Sequence, residues 1–209
     1  MRQPLTLKIS EIFPSIQGEG LRQGEPTLFI RLSGCNLKCD FCDTKYAWKP
    51  GKEMTVPQII NNLKKIRSTF PAEWVCLTGG EPLLQPIEGL IQNLKTVGFK
   101  IQIETNATLF RRLDVDWHTI SPKPPDYLCQ PAYKKKANEI KVVVTKGLSL
   151  DILRKLRKEF PEKIPLLLQL QSNSEWSGKL ALKLLQQALN KDLRNIRVTA
   201  QIHKIFNWR

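Results

Sequence analysis

The sequence is short of cysteine, histidine and acid. Five cysteines stand among 209 residues, an odd count that excludes full pairing within one chain. Three of them crowd too closely for a disulfide framework, so a reducing compartment is expected. No apolar run approaches the roughly 20 residues that a membrane helix requires, and the opening MRQPLTLKIS lacks the apolar stretch of a secretion signal. A cytoplasmic protein with no membrane association is expected. There is no internal repeat and no long low-complexity tract. The length suffices for one domain with a substantial core and is short for two, so residues 1–209 are read as a single domain. Acid is scarce as well: 33 Lys and Arg face 19 Asp and Glu, a formal charge of +14. Such a field attracts phosphates, carboxylates or nucleic acid. Many of the cations, as in NNLKKIRSTF and DILRKLRKEF, fall on the polar faces of helical patterns, so direct nucleic-acid binding is not expected.

What is present is alternation. TLFIRLS (27–33), EWVCLT (73–78), FKIQIET (99–105), WHTIS (117–121), EIKVVVT (139–145) and PLLLQLQ (165–171) read as strands, most of them buried on both faces. Between them TVPQIINNLKKIR opens with Thr55 and Gln58 at capping-box spacing and carries Pro57 in its first turn, which predicts a helix. PIEGLIQNLKTVG ends on Gly98 as a C-cap; SLDILRKLRKEF and GKLALKLLQQALN supply two further amphipathic helices. Strands alternating with helices predict an α/β fold with about six mostly parallel strands. Residues 1–26 and the segment PKPPDYLCQPAYKKKAN (122–138) break the alternation. Both read as extensions over a binding face, which in parallel α/β folds lies beyond the carboxyl ends of the strands.

Cys35, Cys39 and Cys42, in RLSGCNLKCDFCDT (31–44), follow a predicted strand directly and so lie on a loop at its carboxyl end. A Cys-x3-Cys-x2-Cys loop can curl three sulfurs around one side of an iron–sulfur cube, and three thiolates on four irons leave one iron open to a small molecule. Zinc is the competing reading, its four-ligand closure needing Cys76, His118 or His203 as the last partner. Cys76, mid-strand in WVCLTGG, reads as a small core residue, and His118, inside an apolar strand, as a satisfied core histidine. At the end of the following strand LTGGEPLLQ (77–85) pairs two glycines, which let backbone approach a ligand closely, with Glu81, whose carboxylate can accept from an ammonium group. Glycines commonly end strands, so this turn alone is weak. The two motifs at successive strand ends are a specific combination.

Together they resemble the radical S-adenosylmethionine (SAM) enzymes, whose three-cysteine loop holds a 4Fe-4S cluster and whose Gly-Gly-Glu-Pro segment meets the SAM amino group. SEIFPSIQGEG, FIRLSGC, CDT after the cysteines, ETNA (104–107), SPKPP (121–125), EIKVVV and the terminal QIHK narrow the likeness to the 7-carboxy-7-deazaguanine synthases, in order from about residue 10 to residue 204. The resemblance implies an incomplete radical SAM barrel with fewer helices than a full one, an N-terminal substrate-binding extension and a homodimer. It also implies a lyase of 7-deazapurine (queuosine precursor) biosynthesis, acting through a 5'-deoxyadenosyl radical. The reaction would convert 6-carboxy-5,6,7,8-tetrahydropterin to 7-carboxy-7-deazaguanine with loss of ammonia. Reductive cleavage of SAM needs a potential near the low end of the roughly −700 to +450 mV that clusters span, so an electron donor such as flavodoxin or ferredoxin is implied.

Residue by residue, the resemblance assigns Cys35, Cys39 and Cys42 to the cluster. Phe41, Cys42, Asp43, Gly79, Gly80, Glu81, Thr105, Asn106, Ser121, Pro122 and Lys123 are assigned to SAM. Ile16, Gln17, Gly18, Glu19, Arg31, Thr78 and His203 are assigned to the substrate. Thr44 is matched to a Mg2+ ligand, although Asp43 is the more obvious hard donor on chemistry alone. An amide at Gln17 suits the edge of a pterin, Glu19 an N–H pair, and Arg31 a bidentate clamp on the substrate carboxylate; a charge inside FIRLS is costly to bury without a partner. Without the resemblance QGEG reads as an ordinary turn. The terminal IFNWR matches no family ending, which leaves the Arg209 carboxylate without an assigned role. Two alternatives remain: an activating enzyme for a glycyl-radical protein, and a zinc-stabilised RNA-binding module. QGEG, FIRL and the terminal HK argue against the first, Gly-Gly-Glu-Pro and SPKPP against the second.

Overall fold

A computed structural model of the chain describes residues 6–208. The chain divides into two compact units, the first built from residues up to 16, 25–105 and 111–117, the second from 17–24, 106–110 and 118 onward.

The first unit contains β1 (Thr6–Ile16), β2 (Pro26–Leu32), β3 (Lys52–Thr55), β4 (Trp74–Gly79) and β5 (Lys100–Thr105), in the spatial order β3-β1-β2-β4-β5. Strands β2, β4 and β5 are parallel, whereas β1 runs antiparallel to both β2 and β3. Helix α1 (Val56–Arg67) begins with the expected capping box: the Gln58 N–H donates to the Thr55 hydroxyl while the Gln58 side chain accepts from the Thr55 N–H. Its buried stripe of Val56, Ile59, Ile60 and Leu63, with Leu90, Ile91 and Leu94 of α2 (Glu88–Thr96), joins the apolar strand faces in one core. The C-cap of α2 is Val97, and Gly98, expected there, follows it at φ +80°, the left-handed position that suits glycine after a helix.

The second unit contains β6 (Trp117–Ile120), β7 (Glu139–Val144), β8 (Leu166–Leu170) and β9 (Ile196–Thr199), ordered β6-β7-β8-β9 and all parallel. Helices α3 (Leu150–Glu159) and α4 (Glu175–Leu189) connect β7 to β8 and β8 to β9, and a short α5 (Ile202–Ile205) follows. Strands β7 and β8 are buried on both faces, as their continuous apolar runs predict.

The six expected strands are all present, and the mostly parallel strands of neither unit close into a barrel. Three strands are additional. Residues 6–16, expected within an extension, form the longest strand; the first five residues of that segment lie outside the described part, and 17–24 belong to the second unit. The segment 122–138 is irregular as expected, apart from a 3-10 turn at Pro131–Lys135.

His118 behaves as a core histidine: it is buried, its backbone N–H donates to Asn138 Oδ1 (2.8 Å) and its ring meets Tyr133 edge-on. Burial, reinforced by Lys136, pushes its pKa down to about 4. A histidine that titrates near 6.5 when unfolded takes up its proton first in the unfolded chain, so folding stability should fall as pH drops from about 6.5 to about 4. His118→Phe is expected to flatten that part of a stability–pH curve from denaturant titrations; an unchanged slope would assign the effect to another group.

Candidate active site

In the first unit the site grows from two parallel neighbours. Register pairs Arg31 with Thr78 and Leu32 with Gly79, so the carboxyl ends of β2 and β4 lie side by side. The chain leaves β2 into the cysteine loop and leaves β4 into the Gly-Gly-Glu-Pro turn, and backbone hydrogen bonds join the two exits. The Gly80 N–H donates to the Leu32 carbonyl (3.0 Å) and the Glu81 N–H to the Gly34 carbonyl (2.8 Å). The Gly34 N–H in turn donates to the Ala47 carbonyl (2.7 Å), tying the far end of the loop to its root. Gly79, at φ +137°, and Gly80 pass so near this backbone that a Cβ on either would strike Leu32 or Gly34.

Cys35, Cys39 and Cys42 are all half-buried, and none is in a disulfide. The Cys42 N–H donates to the Cys39 carbonyl (3.0 Å), and Thr44 Oγ1 lies 3.5 Å from Cys42 Sγ. Thr44 precedes the 3-10 turn Lys45–Trp48 but makes no side-chain capping bond to it. Phe41 is half-buried and Asp43 exposed. Among the described residues no group of three or more His, Cys, Asp or Glu side chains is drawn together as a single-ion site. Cys76, one fourth ligand that zinc would need, sits fully buried in an apolar cluster with the stacked rings of Phe13 and Phe29.

Glu81 is fully buried and caps the 3-10 turn Pro82–Leu84: its Oε1 accepts from the Leu83 N–H (3.0 Å) and from Thr105 Oγ1 (2.8 Å). Two residues assigned to SAM thus brace one another. Arg31 has an internal partner that sequence reasoning did not supply. Glu11, directly opposite on β1, accepts from Arg31 Nε at 2.7 Å and from the Tyr46 hydroxyl at 2.6 Å. The guanidinium also lies over the rings of Phe13 and Tyr46. Ile16 ends β1 and is half-buried.

The second unit holds a polar cluster of its own. Gln17, only 2% exposed, accepts the Glu19 N–H on its side-chain oxygen (3.2 Å). Gly18 lies against the His203 imidazole, which a Cβ would strike, and its carbonyl accepts the Ile202 N–H (3.0 Å). Glu19 pairs with Lys141 of β7 (2.6 Å) and accepts from Gln201 Nε2. Burial alone would raise the Glu19 carboxyl, but the charge and hydrogen bond of Lys141, with Gln201 and His203, hold it down at about 2. Ser121 Oγ donates to the Lys141 carbonyl (2.8 Å) and accepts from Lys123 Nζ (2.5 Å); Pro122 is buried beside them. Asn106 Oδ1 accepts from the N–H and hydroxyl of Thr108, a local turn rather than a helix cap. Lys141, Gln201 and Glu139 are polar groups of this cluster that the sequence reading passed over. Lys141 and Glu139 are spaced by two in EIKVVV, which puts both on one face of β7 and was the available signal.

Gly80→Ala should cost about 1–3 kcal/mol of stability through collision with the Gly34 carbonyl. Gly178→Ala, where nothing lies within 4 Å in the interior of α4, should gain up to about 1 kcal/mol. Urea titration of both variants checks the contrast, and equal effects would contradict the close approach.

The profile of the radical SAM superfamily matches residues 29–164. The 7-carboxy-7-deazaguanine synthase of Aquifex aeolicus (strain VF5) is 38% identical over 96% of this chain and 94% of its own length. The enzyme of that name from Thermoplasma acidophilum is 32% identical over 94% and 95%. The crystal structure of QueE from Escherichia coli superposes with a TM-score of 0.77 at 27% identity, covering 94% of both chains. Motifs, strand-end geometry and near full-length likeness coincide, and the chain belongs to the 7-carboxy-7-deazaguanine synthase family of the radical SAM superfamily.

Proposed function

We propose that the chain converts 6-carboxy-5,6,7,8-tetrahydropterin to 7-carboxy-7-deazaguanine with loss of ammonia, as a radical SAM lyase of queuosine-precursor biosynthesis. The observation that carries this reading is the hydrogen-bonded junction of the three-cysteine loop and the Gly-Gly-Glu-Pro turn at neighbouring strand ends, in a chain of this family. The donor set fits a 4Fe-4S cluster: three half-buried thiols on one loop, with Cys76 withdrawn into the apolar core. Cys35, Cys39 and Cys42 would hold it, leaving one iron for SAM. When bound, the cluster would supply one electron for the reductive cleavage of SAM.

The chain's own residues bind and orient. Gly79, Gly80 and the Glu81–Thr105 pair shape the turn assigned to SAM; in the second unit Ser121 and Lys123 present a hydroxyl and an ammonium group. Glu19 offers a carboxylate to the N–H groups of a pterin, and Gln17 lies beside it. Arg31, oriented by Glu11, takes the substrate carboxylate. Thr44, with a hydroxyl not used for capping, is assigned to Mg2+. A flavodoxin- or ferredoxin-type protein supplies the electron, and two chains form a homodimer, which light scattering checks. No described helix is long and apolar enough to cross a membrane.

The test is anaerobic reaction of iron-reconstituted protein with reductant, SAM, Mg2+ and the tetrahydropterin, followed by liquid chromatography and mass spectrometry. Formation of 7-carboxy-7-deazaguanine without net loss of SAM is expected; deoxyadenosine alone would overturn the substrate assignment. Cys39→Ala should abolish cluster assembly and SAM cleavage, read by iron content and deoxyadenosine yield. Arg31→Ala should spare the cluster and weaken substrate binding by about 10- to 100-fold; unchanged affinity would remove the clamp.

A further inference from the structure

The second unit contains a reciprocal exchange of charge between the loop 17–24 and strand β7. The loop sends its carboxylate, Glu19, to the strand's ammonium group, Lys141; the strand sends its carboxylate, Glu139, to the loop, where Glu139 Oε2 accepts the Leu21 N–H at 2.7 Å. Glu139 Oε1 accepts from the Thr119 hydroxyl (2.7 Å), and Gly20 lies so close that a Cβ there would strike the carboxylate. The Lys141 side chain is 5% exposed and that of Glu19 17%. The lysine is therefore enclosed, while part of the carboxylate stays open.

The two Glu19 oxygens are held separately. Lys141 Nζ lies 2.6 Å from Oε2, and Gln201 Nε2 donates to Oε1. Gln201 is itself fixed, its N–H donating to Asn173 Oδ1 (2.8 Å) and its carbonyl accepting from Asn173 Nδ2 (2.8 Å). Each carboxylate oxygen can accept about two hydrogen bonds, so one partner on each fixes the rotation of the group and leaves acceptor capacity on both. That suits a ligand presenting two parallel N–H groups, as the amino-pyrimidinone edge of a pterin does. A desolvated carboxylate without its cation tends to take up a proton, and a protonated carboxyl presents a donor where this ligand needs an acceptor.

We propose that Lys141, with Gln201, is a positioning residue for substrate recognition. It holds Glu19 ionised and in one orientation so that the carboxylate takes a paired N–H edge of the substrate. The proposal rests on the assignment of Glu19 to a pterin substrate made above. It assigns Lys141 no contact with the substrate, and it makes the lysine's effect conditional on Glu19.

The test is equilibrium binding of 6-carboxypterin, the oxidised fluorescent analogue, to cluster-reconstituted protein in the presence of SAM, with SAM affinity measured in parallel. Glu19→Gln is expected to weaken the pterin by about 10- to 100-fold. Lys141→Met should weaken it by about tenfold or more, Lys141→Arg by less than about threefold, and neither should alter SAM affinity. The double variant Glu19→Gln/Lys141→Met contains neither buried charge, which guards against simple failure to fold, and it should bind no more weakly than Glu19→Gln alone. Parent-like binding by Lys141→Met, or multiplying losses in the double variant, would overturn the positioning role while leaving Glu19 in place. Parent-like binding by Glu19→Gln would overturn the substrate assignment of Glu19 and the proposal with it.

Discussion

Two backbone hydrogen bonds, from Gly80 to Leu32 and from Glu81 to Gly34, are the constraint on which the first unit's chemistry depends. A three-cysteine loop is entropically free unless its ends are fixed, and a cluster site needs sulfurs that arrive together. Parallel pairing of β2 with β4 brings the two strand exits abreast, and the absence of side chains at Gly79 and Gly80 lets the turn reach the root of the loop. The bond from Gly34 to Ala47 closes the other side. Nothing larger than glycine satisfies this contact. The glycines therefore have a packing role as well as the approach to a ligand for which the sequence first singled them out.

Electrostatics organise the second unit in a comparable way. A lysine enclosed within a parallel strand is costly unless its partner is fixed, and here the partner loop is anchored twice, by Glu19 on Lys141 and by Leu21 on Glu139. Opposite charges two residues apart on β7 leave the loop a single register. In the first unit Arg31 and Glu11 meet the same need across an antiparallel pair, with Tyr46 closing over the carboxylate. The Glu19–Lys141 and Arg31–Glu11 pairs each join two elements rather than lying within one.

Much of this is legible in the sequence. The six expected strands are short, mostly apolar and β-branched stretches bounded by turn residues, and α1 carries its own start signal in Thr55 and Gln58. Strand β1 was not legible, because TLKISEIFPSI mixes exposed and buried positions and contains Pro14. That proline lies past Thr6–Ile9, the stretch paired with β3, where a strand with one neighbour tolerates it. The short strands β3, KEMT, and β9, IRVT, break their few apolar residues with charged ones and offer no apolar run. The cysteine loop and glycine turn were plain because their chemistry is local in sequence. The partners of Arg31 and Glu19 were not: Glu11 requires the antiparallel register of an unseen strand, Lys141 hides in an apolar run, and Gln201 is 182 residues from Glu19.

The central claim is that three thiolates hold a cluster whose remaining iron is open to SAM, and electron paramagnetic resonance tests it most directly. Anaerobically reconstituted protein, reduced by one electron, would be recorded before and after addition of SAM, with iron, sulfide and zinc measured on the same sample. The account predicts four irons per chain and a spectrum that shifts on SAM addition. A spectrum indifferent to SAM, or stoichiometric zinc in place of iron, would contradict it.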